Sequence, residues 1–408
     1  MPKGITTFAS AQSHESLLVG EQNFCRYSYR NGYMAESLLM RTGFTSKMNT
    51  TDTSIECHDG HVPEWVAEEL DRLYGNIYSS LAHFRLFGGL EHAYTYARRR
   101  QPDDEIVALF LFRLEHNRVV VLNEGMSLEA EEVERFAAYV FQRFPSVAVI
   151  EFHAVHAPIS RIARPIQCFY QTEDFVLQLP DTTESYLSML GSATRKNIKK
   201  HLNRWQRDFP DSEYQVYEKR EISAADLREV IAFNHRRMAA KHKVSAIDES
   251  ELQVMLQLGH ECGYLCVLRN KGEICAGALL YRFGEHHVSR ITAHDTRFDD
   301  YRLGTLMCYR AVCEAMQRGG KHFHFMWGRY AYKAALGGVL VELDHIAIYR
   351  SRWHLLRQAR RAASTAYGGY RREARIWLLE QAGKNSGWLP RMINAIRTLR
   401  RMKPREAC

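Results

Sequence analysis

The nine cysteines, at 25, 57, 168, 262, 266, 275, 308, 313 and 408, are odd in number and never spaced as CxxC. Neither a disulfide framework nor a structural zinc site is therefore written into the chain, and the thiols read as reduced and mostly packed. No run approaches the roughly 20 apolar residues of a membrane helix. The opening MPKGITTFASAQSHESLLVG lacks the basic-then-apolar order of a signal peptide, which makes the cytoplasm the expected address. The nucleophile elbow GxSxG, the phosphate loop GxxxxGK[ST], the zinc motif HExxH and the dinucleotide turn GxGxxG are all missing. Glycine and proline are scarce enough, at 25 and 10 of 408 residues, to exclude collagen-like or low-complexity structure.

A chain of 408 residues that is 46% hydrophobic and 11% aromatic buries a substantial core, as two domains or as one duplicated one. Its formal net charge of +8 is unevenly spread. Residues 350–408 hold 15 Lys and Arg against 3 Asp and Glu, a net +12, which leaves residues 1–349 at −4. Such asymmetry points to a polyanionic partner or an anionic membrane surface without choosing between them.

Residues 1–62 show no sustained period and read as an extension with one or two strands. From Glu105 the order is strand (EIVALFLFRL), strand (RVVVL), a helix with Val133, Phe136, Ala137, Val140, Phe141 and Phe144 on one face, then strand (SVAVIEFHAV). A related order returns as YLCVLRN, EICAGALLYRF, HHVSRITAH, a helix with Leu306, Tyr309, Cys313 and Met316 at spacings of three and four, and KHFHFMWG. Phe112-Arg113 with Val119 answers to Tyr281-Arg282 with Val288 at an offset of 169, so the chain reads as duplicated. Between the copies lie FVLQL and a helix expected from about Thr183 to Arg207, with Ile198, Leu202 and Trp205 inward. A boundary is expected near Pro180. Helices are also expected at 223–241 and 248–261, and the C-terminal stretch reads as basic helices broken at Gly368-Gly369 and at Gly387 to Pro390.

A helix N-terminus exposes free N–H groups and a partial positive charge, and so can seat a phosphate where no side chain blocks the approach. The second-copy helix opens at about Leu303 after DTRFDDYRLGT. It carries no acid from Tyr301 to Val312, and Gly304 removes a side chain there. The matching helix of the first copy begins SLEAEEVE, where Glu129, Glu131 and Glu132 stand where an anion would sit.

YRLGTLMCYRAVCEAMQRGGKHFHFMWGRYAYKAALGG resembles the closing segment of GNAT-superfamily acyltransferases. The likeness is to the double-domain branch that includes FemAB-like peptidyltransferases and exopolysaccharide acyltransferases, and GSATRKNIKKHLNRW is similar to that branch's basic helix. The resemblance covers about residues 180–349, with a weaker echo from 64 to 155, and departs from the usual pattern at Tyr301, Leu306 and His324. It implies an α/β fold with a mixed sheet: a degenerate GNAT-like domain at 63–180, a GNAT-like acyltransferase domain at 181–349 and a basic helical extension at 350–408. It also implies that Tyr301, Arg302, Leu303, Gly304 and Thr305 hold the phosphates of a donor, acyl-CoA or an acyl carrier protein, and that Tyr332-Lys333 closes over the reactive end.

Such a transfer needs a base for the amine and a proton for the leaving group. His294 with Asp295, at the end of a strand, is the candidate base pair, because imidazole titrates near neutral pH and a carboxylate orients it. Tyr330 and Tyr332 are candidate proton donors. Arg329 and Lys333, four apart, are expected to face one way toward the acceptor, joined by Trp327, Arg195 and Lys196. The helix at 193–207 carries Arg195, Lys196, Lys199, Lys200, Arg204 and Arg207 and no acid before Asp208. His322 and His324 share a strand face but lack a third ligand, so no metal is expected. Three readings stay open: an N-acyltransferase acting on an amine and moving groups other than aminoacyl; an aminoacyl-tRNA-dependent transferase; and a non-catalytic scaffold whose tail binds nucleic acid or touches a membrane peripherally.

Overall fold

The computed structural model describes residues 53–384 apart from 160, 161, 241–244 and 246. Most of the expected extension at 1–62 lies outside the described residues, as do Trp388, Leu389, Ile393, Ile396 and the expected break at Gly387 to Pro390.

The first half runs β1 (Thr53–His58), α1 (Val66–Leu73), α2 (Leu81–Phe87), β2 (Tyr94–Arg100), β3 (Glu105–Glu115), β4 (Arg118–Val121), α3 (Ala130–Arg143) and β5 (Val149–Val155). Then come β6 (Ile166–Gln178), α4 (Thr183–Met189) and α5 (Ser192–Asp208). The second half runs β7 (Ser212–Glu218), α6 (Ala224–Ala240), α7 (Glu249–Cys262), β8 (Gly263–Asn270), β9 (Glu273–Phe283), β10 (His286–His294), α8 (Leu303–Gln317), β11 (His322–His324), α9 (Ala331–Ala335) and β12 (Val339–Tyr349). Helices α10 (Arg352–Arg357) and α11 (Ala359–Lys384) complete it.

All twelve strands join one mixed sheet in the order β1-β2-β3-β4-β5-β12-β6-β11-β10-β9-β8-β7. That order makes the duplication visible. In each half four antiparallel strands lead into a parallel pair, β4 with β5 and β10 with β11, and a helix, α3 or α8, crosses between the two. The next strand is exchanged: β6, which follows β5, pairs with β11 of the second half, and β12, which follows β11, pairs with β5 of the first. The two exchanged strands meet along ten registered positions, Val339↔Val176 to Ile348↔Ile166. The sheet therefore runs unbroken across position 180.

Hairpin register corrects the repeat offset by one residue. Leu114 pairs with Val119 and Arg282 with His287, and the turns place His116 (φ 58°) and Gly284 (φ 57°) at the same step. The offset is thus 168, not 169, and a one-residue slip along a strand would exchange its faces.

The first-half core forms where α3 lays Val133, Phe136, Ala137 and Val140 on β3. The Phe136 ring sits between 4.9 and 5.8 Å from those of Tyr96, Phe110, Phe112 and Phe152. The expected helix at 183–207 is two helices. Leu190 is extended (ψ 145°) and buried, ending α4, and α5 starts after Gly191. α8 buries more than its expected stripe, including Leu303, Met307, Cys308, Ala311 and Val312, because it lies between the sheet and α5.

The expected break at Gly368-Gly369 is absent, since α11 runs straight through both glycines. They serve close approach instead: a Cβ on Gly369 would meet the Phe169 ring at 2.5 Å, so only glycine lets α11 rest on β6. The tail's charge is also partly spent inside the molecule. Arg350 donates to the carbonyls of Phe141, Phe144 and Val147 at and just beyond the end of α3, Arg361 pairs with buried Glu151 at 3.0 Å, and Arg372 donates to the Tyr170 carbonyl. No helix among the described residues is long and apolar enough to cross a membrane.

Gly369→Val should lift α11 from β6. Overpacking of this kind costs about 1–3 kcal/mol, read as a lower urea midpoint together with faster proteolysis within residues 359–384.

Candidate functional site

The site begins where two strands part. β10 and β11 are paired only at His286↔His322, His287↔Phe323 and Val288↔His324. β10 then continues to His294 through a bulge at Arg290, while the chain after His324 turns away. The departing loop is held by Lys333, whose buried ammonium donates to the carbonyls of Met326 at 2.7 Å and Trp327 at 2.5 Å. Burial lowers the Lys333 pKa to about 8, against the opposing pull of Asp174 and Glu173.

Beside this opening stands the N-terminus of α8. Arg302 caps it in the left-handed conformation (φ 54°), no side chain accepts from its first N–H groups, and its first turn holds no acid. A cavity of about 350 Å³ lies there, lined by Thr194, Asn197, Ile198 and His201 of α5, Arg302, Thr305 and Leu306 at α8, and Tyr332 and Ala335 of α9. His201 Nδ1 is buried without a partner. The His201 imidazole is held below its ordinary pKa, first by burial and then by the positive charges of Lys200, Arg302 and Arg204. The cavity is thus electropositive, with an orphaned nitrogen and open backbone amides, which suits an anion. On the next face of the same helix, Lys200, Asn203, Arg204 and Arg207 line an open depression of about 600 Å³.

Tyr330 and Tyr332 stand side by side, ring centroids 6.1 Å apart and tilted by 24°. Burial pushes both phenols up, partly countered by Arg237. They are therefore neutral O–H donors at physiological pH. Arg237 Nε is itself buried and unpartnered. Cys308, on the nearby face of α8, has its thiol pushed up to about 11 by burial, so it is no thiolate nucleophile at neutral pH.

Of the residues expected to hold donor phosphates, Arg302 and Thr305 line the cavity and the other three do not. The Tyr301 ring packs among Trp205 and Phe209 with its hydroxyl donating to Asp208 at 3.0 Å, and Leu303 is fully buried beneath α8. Gly304 makes room for a ring rather than a phosphate, since a Cβ there would meet His294 Nδ1 at 3.0 Å. His294 is oriented by Asp299, 2.8 Å from its Nε2, rather than by Asp295. Asp295 is occupied in accepting from the Arg297 backbone and guanidinium. Its carboxyl lies below its ordinary pKa because, although burial pushes upward, those Arg297 contacts outweigh it.

Arg329 and Lys333 do not face one way, because α9 begins only at Ala331. Lys333 points inward, whereas Arg329 pairs with Glu342 at 2.8 Å and Glu173 at 3.5 Å. Arg195 donates to the carbonyls of Leu187 and Ser188 at the end of α4, Lys196 is exposed, and Trp327 packs on Tyr78 of the first half at 6.0 Å. Sequence reasoning missed Thr194, Asn197, His201 and Arg237. The first three repeat at spacings of three and four along α5, but the cationic run on its other face drew the eye.

Residues 192–334 match the acetyltransferase (GNAT) domain family. Among solved structures, FemX is similar at 10% identity over 71% of this chain and 96% of that one, with a TM-score of 0.48. L-PGS from Bacillus licheniformis is similar at 13% identity over 73% and 94%, with a TM-score of 0.41. A tandem GNAT protein from the clavulanic acid biosynthesis pathway is similar at 11% identity over 73% of this chain and 98% of that one, with a TM-score of 0.34. No curated protein matches the chain. The parted parallel pair, the open helix tip beside it and the match to the acetyltransferase (GNAT) domain family all fall within residues 192–334.

Proposed function

We propose that residues 181–349 transfer an acyl group from a phosphopantetheine thioester to an amine, with residues 63–180 shaping the acceptor side. The observation that carries this reading is the electropositive cavity at the tip of α8, opening next to the gap between β10 and β11. The donor's phosphates would rest on the first amides of α8, with Arg302, Thr305 and His201 around them. Its arm would run past Tyr332 toward the gap. The amine nitrogen attacks the thioester carbonyl, the C–S bond breaks, and the electron pair goes to sulfur. Tyr332, or Tyr330 stacked on it, gives the departing thiolate a proton, and the amine nitrogen releases its own proton to solvent in the open gap, from which the phenol is reprotonated. His294, its Nε2 engaged by Asp299, keeps the turn before α8 in place rather than serving as base.

The cationic depression on α5 favours a donor presented by a polyanionic carrier, an acidic acyl carrier protein or an aminoacyl-tRNA, over free CoA. Thioester consumption with acetyl-CoA and acyl carrier protein, and ester consumption with aminoacyl-tRNA, each against an amine panel, separates the three. Binding that falls steeply and log-linearly with salt marks the RNA donor. No transfer from any of them would leave the scaffold reading.

Three outcomes test the site itself. Arg302→Ala should weaken CoA binding about 10-fold to 100-fold, the range of a lost charge-assisted hydrogen bond, and Tyr332→Phe should lower kcat by roughly 100-fold with the donor KM little changed. Titrated by NMR, His201 should take up its proton at higher pH once CoA is bound, because the phosphates offset its cationic neighbours. Binding should accordingly strengthen as pH falls through the bound-state pKa and level off below the free one. An unmoved His201 titration would place the phosphates elsewhere.

A further inference from the structure

Half of the large apolar side chains that stand exposed among the described residues lie in the last two helices. Trp353 and Leu356 of α10 and Tyr367, Tyr370 and Trp377 of α11 are 57–69% exposed, and Leu378 is 36% exposed. Arg360, Tyr367, Arg371 and Leu378 recur along α11 at spacings of seven, four and seven, which sets them on one face, and Tyr370 and Trp377 flank it. The opposite face carries Ala362, packed with Val149, Ala347 and Tyr349, and Gly369, seated on the Phe169 ring. On α10, Trp353 lies one turn from Arg357 and Leu356 one turn from Arg352.

The arginines of this segment sort by direction. Arg350, Arg361 and Arg372 are engaged with carbonyls and Glu151 of the body. Arg352, Arg357, Arg360 and Arg371 are exposed and make no ion pair among the described residues. Glu373 is the one acid between Arg352 and Leu378. Bare rings and leucines set among unpaired guanidinium groups mark a surface that something apolar and anionic covers. A bilayer offers both: indole and phenol suit its headgroup level, arginine its lipid phosphates, and leucine the acyl chains beneath. Nucleic acid would use the rings and the cations but gains little from Leu356 and Leu378. The sequence continues in kind, since residues 385–408 hold Trp388, Leu389, Ile393 and Ile396 with six Lys and Arg against one acid. Neither α10 nor α11 is long and apolar enough to cross a membrane, so the contact such helices can make lies in the plane of the surface.

We propose that the exposed sides of α10 and α11 form a peripheral docking surface for an anionic lipid membrane. Trp353, Leu356, Trp377 and Leu378 enter the boundary between headgroups and acyl chains, while Arg352, Arg357, Arg360 and Arg371 meet the lipid phosphates. The inference is independent of the acyl-transfer reading, because it uses none of the residues that line the cavity at α8.

The test is co-sedimentation of the full-length chain with vesicles of phosphatidylcholine alone or with roughly one-third phosphatidylglycerol. The wild type should partition onto the anionic vesicles and stay in solution with the neutral ones. Arg360→Glu with Arg371→Glu should weaken partitioning about 25-fold or more, at roughly 5-fold for each cation removed from the surface. Trp353→Ser with Trp377→Ser should weaken it about 10-fold or more through lost apolar burial. Both variants should keep the wild-type urea midpoint, since the side chains they change are exposed. Absence of wild-type binding to anionic vesicles, equal binding to neutral ones, or undiminished binding by either folded variant overturns the proposal. Loss of binding to single-stranded polyuridine RNA in the variants, with wild-type protein leaving vesicles untouched, would assign the surface to nucleic acid instead.

Discussion

The strand exchange between the halves is the constraint on which the rest depends. β11 is only three residues long, and it exists because β6 and β10 clamp it from either side. β6 can do so because it is registered against β12 from Ile166 to Val176, and β12 in turn closes the first half against β5. Each half thus finishes the other's sheet. Beyond His324 no strand pairing to β10 is seen among the described residues, and the gap that results is a product of where the pairing stops. Lys333 then secures the departing loop from inside, exchanging solvent for two carbonyls at the cost of a depressed pKa.

Electrostatics divides the molecule differently from what net charge suggests. The tail holds the largest excess of cations, yet several of them are engaged with carbonyls and with Glu151. The positive potential near the gap comes instead from α5 and Arg302, and His201 senses it. In the first half the corresponding helix opens differently: Glu132 is buried against Arg98, so an acid and its partner stand where α8 leaves its tip open.

Much of the fold was legible because hydrophobic period reports burial directly. Strands β3, β4, β8, β9 and β10 and helices α3, α6, α7 and α8 follow from apolar spacing, and α8 begins at the expected Leu303. Strand exchange was not legible, because period 2 says which face a strand buries and nothing about its neighbour. The two glycine readings failed for a related reason. Gly304 and Gly368-Gly369 are places where a side chain is excluded, but sequence cannot say by what, and the answers are the rings of His294 and Phe169. Arg302, Thr305 and Tyr332, which line the cavity, were singled out through their place in a family pattern. His201 was not, since the groups around it come from distant segments.

The central claim is that a donor arm enters at the tip of α8 and reaches the gap past α9. A pantetheine probe bearing a photoreactive group on its sulfur, cross-linked to the full-length chain and mapped by mass spectrometry, addresses it most directly. Adducts confined to residues 194–201, 302–308 and 326–335, and displaced by CoA, are the result this account requires. Adducts on the first half's α3 or on α11 instead would contradict it.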